Sequence, residues 1–315
     1  MSPDGACRIA VVPRARPELV EAVEDGGGEV VSPDVAEAVV WTDPAHPDDL
    51  KALLESSPAT WVQLPFAGIE GFMEAGVIDE AHTWTCAKGA YGPATAEHAL
   101  ALLLAAARRI HVHARARTWE GEAARHPGER AWRRLSESTI VVVGTGGIGH
   151  ALASMLRPLG AIVIGVNRSG LPLEGAARTA TVDSLPEVVS DADFVVLAAA
   201  LTAETKGLFG AEMLGRMRPD AWIVNVARGP LIDTDALVAA VEGGALGGAA
   251  LDVTDPEPLP DGHPLWSLDN VLITPHVANT WAMALPELAA MVRRNVGAFR
   301  RGDRLEGMVD PAAGY

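Results

Sequence analysis

Short runs of β-branched and apolar residues alternate with segments of helical period along almost the whole chain. "CRIAVVP" (7–13), "AVVWT" (38–42) and "TWVQLPF" (60–66) read as strands, separated by the helical patterns "ARPELVEAVEDGGG" and "PDDLKALLESS". This alternation predicts parallel sheets covered by helices, an α/β fold. Residues 93–119, "PATAEHALALLLAAARRIHVHARARTW", are too apolar for a surface helix and read as a buried one. Arg108 and Arg109 close its apolar section, where cations suit the negative helix end. Residues 111–138 change character: they are rich in His and Arg, contain Trp119 and Trp132, and are broken by "HPGER", so they read as an arm or long connection. The alternation restarts with "TIVVVG", "AIVIGV", "DFVVLAA", "WIVNVA", "GGAALDV" and "NVLITP", six strand candidates. "ALPELAAMVRRNVGAFRRGD" then reads as an amphipathic helix with a basic end. Two α/β units follow, one before about residue 92 and one from about 93 to 281, with the last helix able to pack back on the first.

A chain of 315 residues suits two domains. With only Cys7 and Cys86, a disulfide framework or a cysteine-based zinc site is excluded. The start of the chain lacks a signal-peptide pattern, and no run approaches the roughly 20 apolar residues of a membrane span. A reducing, cytoplasmic location with no membrane partner is the expectation. The formal charge of −16 argues against nucleic acid as a partner. It also means that a bound anion must be held by local cations and backbone N–H groups.

Such a local site is legible in "VVVGTGGIGHALASMLRPLGAIVIGVNRSG", residues 141–170. A strand, then Gly144, Gly146 and Gly149, then a helix and a second strand have the form of a dinucleotide-binding unit. Gly144 permits the tight turn, Gly146 the close approach of backbone to pyrophosphate, and Gly149 close helix–strand contact, with Gly147 and Ile148 between them. The second strand of such a unit often ends in a carboxylate that holds the ribose hydroxyls and repels a 2′-phosphate. Here it ends in Asn167, Arg168 and Ser169. A guanidinium and a hydroxyl at that position favour NADP(H), with NAD use still open.

Three later strand ends carry residues suited to hydride transfer to a carbonyl: Arg228 in "WIVNVARGPLID", Asp252 with Glu257 beyond it in "GAALDVTDPEPLP", and His276 in "VLITPHVANT". With "VVVGTGGIG", these motifs in this order resemble the D-isomer-specific 2-hydroxyacid dehydrogenases. "GAYGPATAEHALALLLAAARR" resembles that family's interdomain helix, and "WVQLPFAGIE" matches it more loosely. The resemblance implies two doubly wound parallel-sheet domains. These are a flavodoxin-like substrate domain over residues 1–92 plus 282–315 and a Rossmann NAD(P)-binding domain over 93–281, closing about hinges near Pro93 and Thr280.

It also implies roles. His276 is the general acid toward the carbonyl oxygen, suited by an imidazole pKa near neutrality. Glu257 orients that imidazole and favours its charged form. Arg228 clamps the substrate carboxylate, Asp252 and Ala227 lie by the nicotinamide, and backbone N–H groups of Ala67 and Gly68 give a second carboxylate contact beside Phe66. The activity implied is reduction of a small 2-oxo acid, glyoxylate or hydroxypyruvate in kind, to the D-2-hydroxy acid. The partner is a second copy of the chain, with Trp119 and Trp132 either at the interface or buried as structural residues.

The chain departs from the family pattern at Gly147, at Ala198–Ala200 and at Asn279. His111 and His113 could suggest a metal pair, but alternate helical residues do not face each other. No metal is expected. Asp255 beside Glu257 reads as a loop carboxylate. Two rivals stay open: a phosphoglycerate dehydrogenase, disfavoured by few cations near "PFAGIE", and a dinucleotide-sensing corepressor.

Overall fold

The computed structural model describes residues 6–117 and 132–311. Trp119 lies outside the described residues. The chain divides into two compact units, Met1–Tyr91 with Thr280–Tyr315, and Gly92–Asn279.

The first unit holds five parallel strands, β1 (Cys7–Val12), β2 (Gly28–Val30), β3 (Ala38–Trp41), β4 (Trp61–Gln63) and β5 (Thr83–Thr85). Their order is β2-β1-β3-β4-β5, the flavodoxin-like arrangement, in which the order of winding reverses between β1 and β3. Side chains alternate across the sheet. Ile9, Val11, Val40 and Trp61 pack under α1 (Pro17–Asp25) and α10 (Trp281–Arg301). Ala10, Val39 and Val62 face α2 (Pro47–Leu54) and α3 (Glu70–Glu74) through Leu50 and Phe72. A buried polar pair fixes α10 to this sheet, Asn295 Nδ2 donating to Gln63 Oε1 at 3.1 Å, while Trp61 Nε1 ties β4 to β5 by donating to Thr85 Oγ1 at 2.8 Å. The edge strands β2 and β5 escape the sequence pattern because "GEV" and "TWT" each hold a single apolar residue.

The second unit is a seven-stranded parallel sheet: β6 (Thr139–Val143), β7 (Ile162–Asn167), β8 (Arg178–Thr181), β9 (Phe194–Leu197), β10 (Trp222–Asn225), β11 (Gly248–Leu251) and β12 (Val271–Ile273). The order β12-β11-β10-β9-β6-β7-β8 is the Rossmann order extended by one strand, with its switch point between β6 and β9. One face is covered by α4 (Gly92–Ala107) and α6 (Gly147–Leu156). The other is covered by α7 (Leu185–Ser190), α8 (Ala211–Arg216) and α9 (Thr234–Glu242). Of the seven strands, β8 is hidden in the sequence because "RTAT" on the sheet edge has no apolar alternation.

The long apolar segment is not one helix. Arg109 takes a left-handed φ of 52°, which ends α4 and starts α5 (Ile110–Ala116) in a new direction. Nor is α4 buried all round: Ala96, Ala99 and Leu103 are buried while Leu104 is exposed. His111 Nε2 donates to the Asp269 carbonyl (3.1 Å) and the ring packs against Trp222, while His113 stacks on Trp132. The two imidazoles therefore serve different neighbours. No group of three metal-ligating side chains exists among the described residues. No helix among them is long and apolar enough to cross a membrane.

Candidate active site

The carboxyl ends of the second sheet's strands gather the candidate residues. Residue 144 follows β6 at a φ of 98°, and a Cβ there would lie 2.5 Å from the Ala199 amide nitrogen. Glycine is the residue that tolerates both. A Cβ at Gly149 would overlap the Gly144 carbonyl, so α6 meets the turn directly. At Gly146, the N-cap of α6, a Cβ would meet no atom within 4 Å. The backbone at the positive end of α6 thus faces open space, the geometry that a pyrophosphate requires. Gly147 and Ile148 form the first turn of α6. Gly147 also permits a close crossing, since a Cβ on Gly92 of α4 would lie 2.6 Å from the Gly147 carbonyl oxygen.

The end of β7 is tied to this turn. Asn167 Nδ2 donates to Thr145 Oγ1 and to the Leu171 carbonyl, both at 2.9 Å. Ser169 Oγ donates to Asn167 Oδ1 at 3.3 Å and accepts from Leu171 N–H at 3.3 Å. Asn167 therefore holds the turn, while Arg168 and Ser169 are exposed. Glu204, in the loop after β9, is held below its usual carboxylate value by the Thr202 hydroxyl and its own backbone N–H, with the Arg168 charge contributing. Arg168 therefore sits within the electrostatic reach of that loop.

The chemical groups line up on β10, β11 and β12. Arg228 follows β10, its Nη1 donating to the Ala227 carbonyl at 2.6 Å. A residue that the sequence reading missed, Asn225, shapes this loop: fully buried, it donates to the Arg228 carbonyl (2.8 Å) and accepts from Ala227 N–H (3.0 Å). A polar residue inside "WIVNVA" was the available signal. Residue 229 brings the next loop alongside, because a Cβ there would overlap the Thr254 carbonyl. Glu257 lies beyond, between Pro256 and Pro258. Its Oε1 is 2.6 Å from His276 Nδ1, and both side chains are about half exposed.

His276 itself has a φ of 52°, a left-handed conformation that non-glycine residues rarely hold. Its loop is clamped by Asp252. The His276 N–H donates to the Asp252 carbonyl at 2.8 Å. The buried Asp252 carboxylate accepts from Thr274 Oγ1 (2.6 Å), Val277 N–H (3.0 Å) and Ala278 N–H (3.0 Å). His98 Nε2, on α4, reaches Thr274 Oγ1 at 2.9 Å and Asp252 Oδ1 at 3.2 Å. Burial pushes the Asp252 carboxyl up, but these hydrogen bonds outweigh it and hold the group at about 2. Asp252 is therefore committed to protein donors in this structure. His98 and Thr274 were not singled out from sequence, since 176 positions separate them.

In the first unit, Ala67 and Gly68 lie in the turn between β4 and α3, exposed and half-buried respectively. Among the described residues neither N–H donates to a protein acceptor, so the turn can take an anion. Phe66 precedes them, edge-on to Tyr91 and Trp281.

An imidazole–carboxylate pair beside a phosphate-cradling turn at a Rossmann switch point defines the class, a pyridine-nucleotide oxidoreductase. Residues 100–278 match the model of the D-isomer specific 2-hydroxyacid dehydrogenase NAD-binding domain. An uncharacterized protein in the proB 3′ region of Corynebacterium melassecola is 40% identical over 95% of this chain and 97% of its own length. The glyoxylate reductase of Pyrococcus furiosus is 38% identical, a match covering 67% of this chain and 63% of that enzyme. Among solved structures, a D-isomer specific 2-hydroxyacid dehydrogenase from Xanthobacter autotrophicus Py2, in complex with NADPH and MES, superposes with a TM-score of 0.84 at 27% identity. That superposition covers 99% of this chain and all of the other. The NADPH-dependent glyoxylate/hydroxypyruvate reductase of Sinorhizobium meliloti gives 0.79 at 25% identity over 98% of this chain and all of the other. The chain belongs to the D-isomer-specific 2-hydroxyacid dehydrogenase family and is an NAD(P)-dependent enzyme.

Proposed function

We propose that this enzyme reduces a small 2-oxo acid, glyoxylate or hydroxypyruvate in kind, to the D-2-hydroxy acid with NADPH preferred. The observation that carries the reading is the 2.6 Å contact between His276 Nδ1 and Glu257 Oε1. With Nδ1 directed at the carboxylate, Nε2 is the atom left to act on substrate. A protonated His276 gives its Nε2 proton to the carbonyl oxygen as that oxygen gains charge, and Glu257 stabilises the imidazolium and fixes the ring. Arg228 binds the substrate carboxylate and polarises the adjacent carbonyl. The nicotinamide, when bound, supplies the hydride. Gly144, Gly146 and Gly149 form the turn that holds its pyrophosphate, and Asp252 keeps the 276–278 backbone in place. One 2-oxo acid, one NADPH and one proton are consumed for each hydroxy acid and NADP formed.

The cofactor preference rests on the end of β7, where no carboxylate follows Asn167 and Arg168 is exposed. The test is kcat/KM for NADPH and NADH with glyoxylate and hydroxypyruvate as acceptors. NADPH is expected to be preferred at least tenfold, and Arg168→Asp to abolish that preference. An unchanged ratio in the variant would remove Arg168 from the cofactor site. A homodimer belongs to the same reading, supported by Ile110 and Trp132, which are 54% and 38% exposed around His113. Sedimentation giving a monomer at micromolar concentration would reject it.

A further inference from the structure

The first unit carries a cation that its sequence does not advertise. Arg16 lies at the end of the loop after β1, on one side of the β1/β3 switch point where sheets of this order bind ligands at their carboxyl edge. Its backbone is pinned as the cap of α1, the Arg16 carbonyl accepting from Leu19 and Val20 N–H at 3.0 Å each. Its guanidinium lies over the Trp281 indole, 4.6 Å from the ring centroid. Trp281 in turn meets Phe66 edge-on at 5.2 Å, and Phe66 meets Tyr91 at 6.2 Å. Tyr91 closes the assembly by donating to the Pro65 carbonyl at 2.6 Å. An aromatic shelf thus carries Arg16 to the turn that presents the Ala67 and Gly68 N–H groups.

In a chain with 41 acidic residues against 25 basic ones, Arg8, Arg133, Arg134, Arg216, Arg218, Arg294 and Arg301 pair with carboxylates. Arg16 makes no ion pair with a carboxylate among the described residues, and its Nε and the Trp281 Nε1 are both without a hydrogen-bond partner there. With its Nε buried, a planar guanidinium held on an indole leaves its Nη donors to meet a ligand while its face is packed, an arrangement suited to a carboxylate.

Resting on the reading of this enzyme as a 2-oxo acid reductase, we propose that Arg16 on its Trp281–Phe66 shelf is a subsite for a second carboxylate, which makes dicarboxylic 2-oxo acids favoured substrates. The Ala67 and Gly68 N–H groups take the carboxylate next to the reacting carbonyl, and Arg16 takes the one at the far end of the carbon chain. Glyoxylate, with no far end, uses none of this.

The test pairs acids that differ only at that far end: oxaloacetate against 2-oxobutyrate, and 2-oxoglutarate against 2-oxopentanoate. The wild-type enzyme is expected to show at least tenfold higher kcat/KM for each diacid. Arg16→Met should lower that ratio at least tenfold, and Arg16→Lys should restore part of it. A purely structural Arg16 would lower both members of each pair together and leave the ratio intact. Calorimetric titration of D-malate against D-2-hydroxybutyrate gives a readout independent of turnover. Arg16-dependent preference for malate upholds the subsite even if no 2-oxo acid is reduced, in which case only the reductase reading falls. Turnover of glyoxylate with no diacid preference in either assay overturns the subsite alone.

Discussion

Asp252→Asn separates the clamp from the chemistry it serves. A carboxyl drawn from its ordinary 3.8 to about 2 favours the folded, ionised form by about 2 kcal/mol. The variant keeps one oxygen for Thr274 Oγ1 and Val277 N–H, but it turns an amide NH₂ toward the Ala278 N–H, where Oδ2 now accepts at 3.0 Å. A buried donor left without an acceptor costs about 1–3 kcal/mol. The variant should therefore lose about 2–4 kcal/mol in urea unfolding at pH 7. Because the folded-state pKa is lowered, the contribution is complete above about pH 4 and lost as pH falls toward 2. The gap between wild type and variant should close over that interval. His276 is held at a φ of 52° by the same loop, so kcat should fall by about 10- to 100-fold, the size expected for a catalytic group displaced by about 1 Å. A variant with unchanged kcat and an unchanged urea midpoint would refute the clamp. A stability gap that persisted undiminished from pH 6 to pH 2 would refute its electrostatic origin.

Two other outcomes follow from the same strand ends. His276→Gln retains a polar side chain but cannot deliver a proton, so kcat should drop by about 10²- to 10⁴-fold while NADPH affinity, read by fluorescence, stays within about twofold. Gly229→Ala pushes a methyl into the Thr254 carbonyl. It should cost about 1–3 kcal/mol of thermal stability and lower kcat/KM as well, because the loops of Arg228 and Glu257 pack there. A thermal midpoint equal to wild type would mean that the two loops can separate freely.

What the sequence made legible were features with local signatures. The strand–glycine–helix run at 139–156 needs no distant partner to be read, and Arg228, Glu257 and His276 each follow an apolar strand. The missed elements lack such signatures. β8 is a polar edge strand, β2 and β5 each hold a single apolar residue, and the break at Arg109 lies inside a run whose apolar period continues across it. The missed site residues are those whose meaning depends on tertiary contact. Nothing in "TAEHAL" announces that His98 meets Asp252 and Thr274, and nothing in "PRARPE" announces that Arg16 meets Trp281. Local period reports which face of an element is buried, not which polar group meets it there.

The acidity of the chain is handled by where its carboxylates are spent. At the amino ends of β9 and β10, Asp193 and Asp220 pair with Arg133 and Arg218, the Arg218 contacts being 3.1 Å, and Asp193 also accepts from Thr139 N–H at 2.8 Å. That cluster neutralises itself and contributes little field at the opposite edge. At the carboxyl ends, Asp252 is turned inward onto two backbone N–H groups and a hydroxyl, and Glu257 is occupied by His276. Both of these carboxylates therefore hold geometry in place, each with its charge already answered by a donor. On the proposed reading, the functional anions, a pyrophosphate and a carboxylate, meet the positive end of α6 and the Arg228 guanidinium. A net charge of −16 is compatible with an anionic cofactor and an anionic substrate because binding is decided at this edge, within about one Debye length, and not by the sum over the chain.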